Sequence, residues 1–122
     1  HDAVNKSLIE SAHDVSDGGL AVALAETAFA GNVGVSVDLA RVYTEEKMGD
    51  TEILYSETPS RIIISVSPEN AQSIEEIFGQ DACCIGKAVP GQRLIVTSSR
   101  NGVLIDRDLE SLKRAWKAPL DL

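Results

Sequence analysis

At 122 residues with 43% hydrophobic side chains, the chain is long enough to bury one core and too short for two domains. Eleven basic against nineteen acidic side chains leave a net charge of −8, which favours solubility and argues against sequence-independent nucleic-acid binding. No apolar run approaches the roughly 18 residues of a membrane span, and no charged start followed by an apolar core signals export.

The chain begins at His1 without a Met, which reads as a processed chain or as a piece excised from a longer one. Val4, Leu8 and Ile9 recur at helical spacing behind Asp2, so residues 2–11 predict a short helix. Residues 12–15 predict a brief strand. The stretch that organises the chain is 11–29, S-A-H-D-V-S-D-G-G-L-A-V-A-L-A-E-T-A-F: a polar segment, two glycines and a long apolar helix. Leu20, Ala21, Leu24, Ala25 and Ala28 recur at helical spacing while Val22, Ala23 and Phe29 fill most of the remaining face, so this helix is expected to be buried on nearly all sides. Ser16 or Asp17 is placed to cap it, and Gly31-Asn32 to end it.

Val33, Val35 and Val37 alternate with polar or small residues, the period-two pattern of a strand with one face covered. Residues 41–50 are charged and irregular and read as a solvated loop or a loose helical turn. Ile53, Leu54 and Tyr55 anchor a short turn that Pro59 ends, and Ser56, Glu57, Thr58, Ser60 and Arg61 gather hydrogen-bonding groups beside the next strand. That cluster is a site candidate; a structural Glu57–Arg61 ion pair explains it equally well. Ile62, Ile63, Ile64 and Val66 form the continuous apolar run expected of a central strand covered on both faces.

Ser67-Pro68-Glu69-Asn70 reads as a capped helix start, with Ala71, Ile74, Ile77 and Phe78 as the apolar stripe and Gly79 as its end. Residues 82–89 predict a strand, Pro90-Gly91 a turn and 94–97 a strand; Asn101-Gly102 then leads to Val103, Leu104 and Ile105, so three strands are expected side by side in an antiparallel meander. Asp106 or Asp108 caps a last helix with Leu109, Leu112, Ala115 and Trp116 on its apolar face, and Pro119 follows it. Cys83 and Cys84 are adjacent; on a strand they point to opposite faces, which makes a mutual disulfide strained and leaves no metal-ligand spacing. They read as reduced structural thiols of a cytoplasmic protein. The whole predicts one α+β domain, a mixed, largely antiparallel sheet packed by helices.

Two readings of the opening motif stay open on residues alone. Gly18 and Gly19 cost helix stability unless something must come close, and that something is either a neighbouring strand or a phosphate at the helix N-terminus. In the second reading Asp14 or Asp17 supplies a carboxylate to Mg²⁺ and Ser16 a hydroxyl to a phosphate or ribose. His13 has no evident nucleophile or carboxylate partner nearby and reads as a structural histidine before a general base.

His13-Asp14-Val15-Ser16-Asp17-Gly18-Gly19-Leu20, Leu54-Tyr55-Ser56-Glu57 with Ser60-Arg61, Ile85-Gly86, and Leu109 with Trp116 together resemble the last domain of the phosphoribosylformylglycinamidine synthase family, in the AIR synthase-related superfamily. These enzymes are glutamine- and ATP-dependent ligases of purine biosynthesis. The resemblance implies that the chain is an AIR synthase C-terminal-like domain of a longer, cytoplasmic enzyme, inactive alone. Its implied partners are the preceding domains and a glutaminase domain or subunit, with no nucleic acid or membrane; a homodimer is allowed. It also implies that Asp14 contributes to the metal, and Ser16, Gly18 and Gly19 to the nucleotide, of a Mg²⁺–ATP or Mg²⁺–ADP auxiliary site, with the catalytic histidine in other domains. By pseudo-symmetry Ser56, Glu57 and Arg61 fall at a substrate-loop position, although Thr58-Pro59 departs from that loop's Ser-Gln.

Overall fold

The structure, a computed structural model, describes residues 8–15, 17–44, 48–56, 61–100 and 102–117, the side chain of Trp116 excepted. Strand β1 (Ser11–Asp14) leads to helix α1 (Gly19–Gly31), strand β2 (Gly34–Asp38), a 3₁₀ turn (Leu39–Arg41) and helix α2 (Asp50–Tyr55). Strand β3 (Ile62–Ser65), a 3₁₀ turn (Pro68–Asn70) and helix α3 (Ala71–Phe78) follow. After a 3₁₀ turn (Gly79–Asp81), strands β4 (Gly86–Val89), β5 (Arg93–Thr97) and β6 (Val103–Asp108) lead into helix α4 (Leu109–Lys117). The α+β expectation holds: β1 and β3 pair antiparallel, and a second, four-stranded sheet of order β4-β2-β5-β6 is mixed.

Helix α1 is the centre of the core. Leu20, Ala21, Ala23, Leu24 and Ala28 are buried, and together with Val37, Leu94 and Val96 of the four-stranded sheet, Leu39 of the turn after β2, Ile53 and Leu54 of α2, and Leu109 of α4 they form one cluster. From Gly19 to Phe29 no residue of α1 is fully exposed, as its apolar composition requires. The helix ends where Asn32 enters the left-handed region at φ 51°, its N–H on the Phe29 carbonyl and the N–H of Val33 on that of Ala28. This pair of bonds is a Schellman motif, and Asn tolerates the conformation better than most side chains.

The start of α1 differs from expectation. Gly18, at φ 86°, occupies the cap position without any side-chain cap bond, and Asp17 is an exposed turn residue. A capping role for Ser16 lies outside the described residues, as do residues 1–7 of the expected first helix and the 45–47 stretch. Leu8 and Ile9 are not helical and simply lead into β1.

The three-strand meander is corrected. Strand β2 lies between β4, to which it is antiparallel, and β5, to which it is parallel, so β4 and β5 never touch as a hairpin. The β4–β5 connection instead passes over the first residue of β2: a side chain at Gly34 would sit 2.9 Å from the carbonyl oxygens of Val89 and Gly91. On the other side, a Cβ on Gly86 would be driven into the Ser36 carbonyl oxygen, so the β2–β4 pairing also requires glycine. Strand β4 starts at Gly86, four residues later than the hydrophobic pattern implied, and Cys83 and Cys84 lie in irregular backbone ahead of it rather than on the expected strand, both free and exposed.

Strand β3 is likewise not a central strand. Among the described residues it pairs only with β1, and Ile62 is 60% exposed. In α3, Ile74 is buried with Ile77 and Phe78 half-buried, and Gly79 at φ 55° closes the helix. Asp108 caps α4, accepting from the Ser111 N–H at 2.9 Å and the Ser111 hydroxyl at 2.6 Å. Leu109 is buried and Leu112 half-buried, but Ala115, expected on the same face, is exposed. Among the described residues no helix is long and apolar enough to cross a membrane.

Asp50, in the first turn of α2, ties that helix to the β5–β6 loop. Its carboxylate accepts from the Ser98 hydroxyl at 2.6 Å, the Ser99 N–H at 3.0 Å and the Ser99 hydroxyl at 2.5 Å. The Ser98 hydroxyl, then those of Ser99, hold Asp50 below the usual carboxylate range; the Ser111 hydroxyl and N–H do the same for Asp108. A carboxylate with a depressed folded pKa adds stability that is complete above its unfolded pKa and lost as pH falls through the folded one. The thermal midpoint should therefore hold down to about pH 5 and fall on acidification from about pH 5 to about pH 2. In a D50N/D108N variant the midpoint should be lower near neutrality and the acid slope shallower, as read by circular dichroism across that range.

Candidate functional site

The opening motif and the 54–61 segment meet at one corner. The antiparallel ladder pairs His13 with Ile63 and Asp14 with Ile62, and the N–H of Val15 extends it to the Arg61 carbonyl at 2.9 Å. Across the far end, the hydroxyls of Ser11 and Ser65 are hydrogen-bonded. Alternation along β1 leaves His13 half-buried and Asp14 exposed, while Val15 turns into the core.

Past Val15 the chain must reverse into α1, and it does so through two consecutive left-handed residues, Gly18 at φ 86° and Gly19 at φ 69°. Gly19 is buried against backbone. A Cβ there would lie 2.8 Å from the Leu54 oxygen, 2.8 Å from the Tyr55 carbonyl carbon and 2.9 Å from the Ser56 oxygen. At Gly18 a Cβ would collide with the Val22 side chain, 2.3 Å from its Cγ2. Of the two readings the motif left open, close approach of a neighbour is the one the geometry displays for Gly19, and the neighbour is the C-terminal end of α2.

From the other side, Arg61 reaches back over five residues: its Nη2 donates to the Ser56 carbonyl at 2.5 Å. Its Nε is buried and has no hydrogen-bond partner among the described residues. Ser56, Arg61, Gly18, Gly19 and Asp14 are thus drawn to one region although more than thirty residues separate the two segments. Ser16 and Glu57 lie outside the described residues, and so does the expected Glu57–Arg61 ion pair.

Chemically, the corner offers an exposed carboxylate at Asp14, a half-buried imidazole at His13 and a guanidinium held on a carbonyl. Among the described residues no group of three or more His, Cys, Asp or Glu side chains is arranged to hold a metal ion alone. Asp14 suits Mg²⁺ only as one hard oxygen ligand among others, the usual arrangement when phosphates complete the coordination shell. Cavities of about 280 Å³, beside β2 and β4, and about 330 Å³, along α4, lie away from this corner. The part sequence reasoning missed is the α2 backbone, because a main-chain surface that accepts a glycine carries no residue signature.

A family model described as AIR synthase related protein, C-terminal domain, matches residues 1–99. Among curated relatives, the phosphoribosylformylglycinamidine synthase subunit PurL of Limosilactobacillus reuteri is 40% identical over 114 residues, 93% of this chain and 14% of that protein. The subunit of the same name from Thermococcus sibiricus is 34% identical over 95% of this chain and 16% of its own length. The chain thus spans about a seventh of the length of the curated relatives it matches. Among solved structures, Thermotoga maritima PurL complexed with ATP superposes with a TM-score of 0.81 at 29% identity, over 91% of this chain and 20% of that one.

Proposed function

Since the chain belongs to the family of AIR synthase related C-terminal domains, we propose that it serves as the C-terminal domain of a phosphoribosylformylglycinamidine synthase. The observation that carries this reading is 40% identity along 93% of the chain to a PurL subunit of which it spans 14%. The reaction is then the ATP- and glutamine-dependent conversion of the glycinamide carbonyl of formylglycinamide ribonucleotide to an amidine, its formyl group retained, in the cytoplasm. A ligase of that kind needs ammonia, hence a glutaminase domain or subunit as partner, and the remaining domains of the enzyme supply the catalytic groups. Tyr55, 54% exposed, and Ile62, 60% exposed, flank the corner with the apolar surface that a neighbouring domain of the same enzyme would cover.

Within that enzyme the role of this chain is to present Asp14 at the rim of a nucleotide site. Bound Mg²⁺ would neutralise phosphate charge there, and Asp14 supplies it one hard oxygen. The structures of Thermotoga maritima PurL with ATP and with ADP support a nucleotide in the relative. Ser16 is proposed to donate to that nucleotide, and Ser56, Glu57 and Arg61 to border the substrate. Gly18 and Gly19 shape the turn that carries Asp14; the backbone contact at Gly19 favours packing over direct phosphate binding for that residue.

Asp14→Asn in the full-length protein should weaken Mg²⁺–nucleotide binding about tenfold or more, read by calorimetric titration, with an unchanged unfolding midpoint. The chain of 122 residues alone should show no ATP hydrolysis, with or without the ribonucleotide. Undiminished nucleotide affinity in the Asp14→Asn enzyme would remove the site reading, and turnover by the isolated chain would remove the placement of the chemistry in other domains.

A further inference from the structure

Away from the corner, a cavity of about 280 Å³ opens beside the β2–β4 edge, and Cys84, Arg41, Lys87 and Asp38 are among its lining residues. Cys84 is free and exposed, and so is its neighbour Cys83, which does not line the cavity. A thiol and two cations thus line one cavity on a chain of net charge −8. Neither Arg41 nor Lys87 is in an ion pair among the described residues, where the salt bridge joins Arg93 to Asp106. The one carboxylate of the cavity, Asp38, is turned to the backbone, accepting from the Ala40 N–H at 2.9 Å. A cavity lined by a free thiol and by two cations unpaired among the described residues suits a small ligand that brings both a sulfur and carboxylates.

We propose that Cys84 is a site of reversible S-thiolation by a small anionic thiol of the glutathione class, its carboxylates received by Arg41 and Lys87. The donor is the corresponding low-molecular-weight disulfide. The Cys84 thiolate attacks one of its sulfurs, the new S–S bond forms as the old one breaks, and the departing thiolate carries off the electron pair and takes up the proton that Cys84 lost. In the unmodified chain the Cys84 thiol donates to the Gly86 carbonyl at 3.5 Å, at the first residue of the edge strand β4, and thiolation replaces that contact.

Cys83 is the nearest thiol that could expel the adduct. Neighbouring Cα atoms are about 3.8 Å apart, below the roughly 4.4–6.8 Å span of ordinary disulfides. Ring closure between Cys83 and Cys84 is therefore strained, and the mixed disulfide persists. The cations set the preference for an anionic donor, and the cavity selects Cys84 over Cys83.

The test treats the full chain with glutathione disulfide or with neutral 2-hydroxyethyl disulfide at about pH 8, the mildly alkaline range in which thiol–disulfide exchange is run, followed by peptide mass spectrometry. The expected result is one glutathione unit per chain, on Cys84. The anionic donor should be preferred about tenfold more in the folded chain than in denaturant, a preference lowered by salt and lost in the R41Q/K87Q variant. C84S should leave Cys83 essentially unmodified by the anionic donor. Equal modification of both cysteines, the same donor preference in denaturant, or an internal Cys83–Cys84 disulfide as the main product would each overturn the proposal.

Discussion

Replacing Gly19 with alanine should destabilise the chain by about 2–4 kcal/mol, far more than the same change at Gly31 at the other end of α1. Two costs add. A side chain in the left-handed region costs about 1–2 kcal/mol, and the new methyl group would lie 2.8 Å from the Leu54 carbonyl oxygen, so either α1 or the end of α2 must move. The obstacle is backbone, which cannot rotate aside as a flexible side chain does. At Gly31 the only neighbour of an added Cβ among the described residues is Val33 Cγ1 at 3.4 Å, and the backbone is ordinary, so alanine there should stay within about 1 kcal/mol of the parent. Urea unfolding of both variants without nucleotide decides the matter. Equal stabilities would mean that Gly19 is not a packing residue and that its freedom serves a ligand instead.

Leu24→Ala should cost about 2–5 kcal/mol, a large part of the roughly 5–15 kcal/mol by which domains of this kind are stable. Leu24 is 2% exposed, on the helix from which the core radiates, and its neighbours belong to the sheet and helices on several sides, which limits how far the cavity can collapse. Ile62→Ala is the informative companion. The apolar run at 62–64 reads in sequence as a buried central strand, and that reading predicts a loss as large as for Leu24. With Ile62 60% exposed, the structure predicts a change within about 0.5 kcal/mol. Comparable losses for the two variants in denaturant titration of this chain would restore the buried-strand reading.

The contrast between these positions shows where sequence is a sufficient guide. Apolar recurrence at helical spacing placed α1 within a residue or two and identified Leu20, Leu24 and Ala28 as core, because a helix closes its own hydrogen bonds and its pattern needs no partner. The stop at Gly31-Asn32 and Asp108 ahead of α4 were legible for the same reason, since such caps are settled by the few residues around them, and Pro68 marked the turn before α3 although the expected cap there makes no side-chain bond to the helix. The run Ile62, Ile63 and Ile64 misled because a hydrophobic strand states that it wants cover without stating where the cover comes from. At the candidate site, the opening motif marked Asp14 and the glycine pair, and the hydrogen-bonding cluster marked Ser56 and Arg61. That the two segments share one corner follows only from the β1–β3 ladder and from the contact of Gly19 with the 54–56 backbone.

By itself, then, the amino-acid order determined the central apolar helix and its C-terminal stop, the Asp108 cap of the last helix and the residues from which a metal–nucleotide role is argued. Tertiary structure alone decided the strand order, with β2 inserted between β4 and β5, and the partner that makes Gly19 necessary. The physical reason is that main-chain N–H and C=O groups are nearly identical at every residue. A strand's pattern therefore tells which face is buried, while the choice of neighbour depends on how distant segments pack, recorded in the chain only by the glycines where two backbones come too close for a side chain.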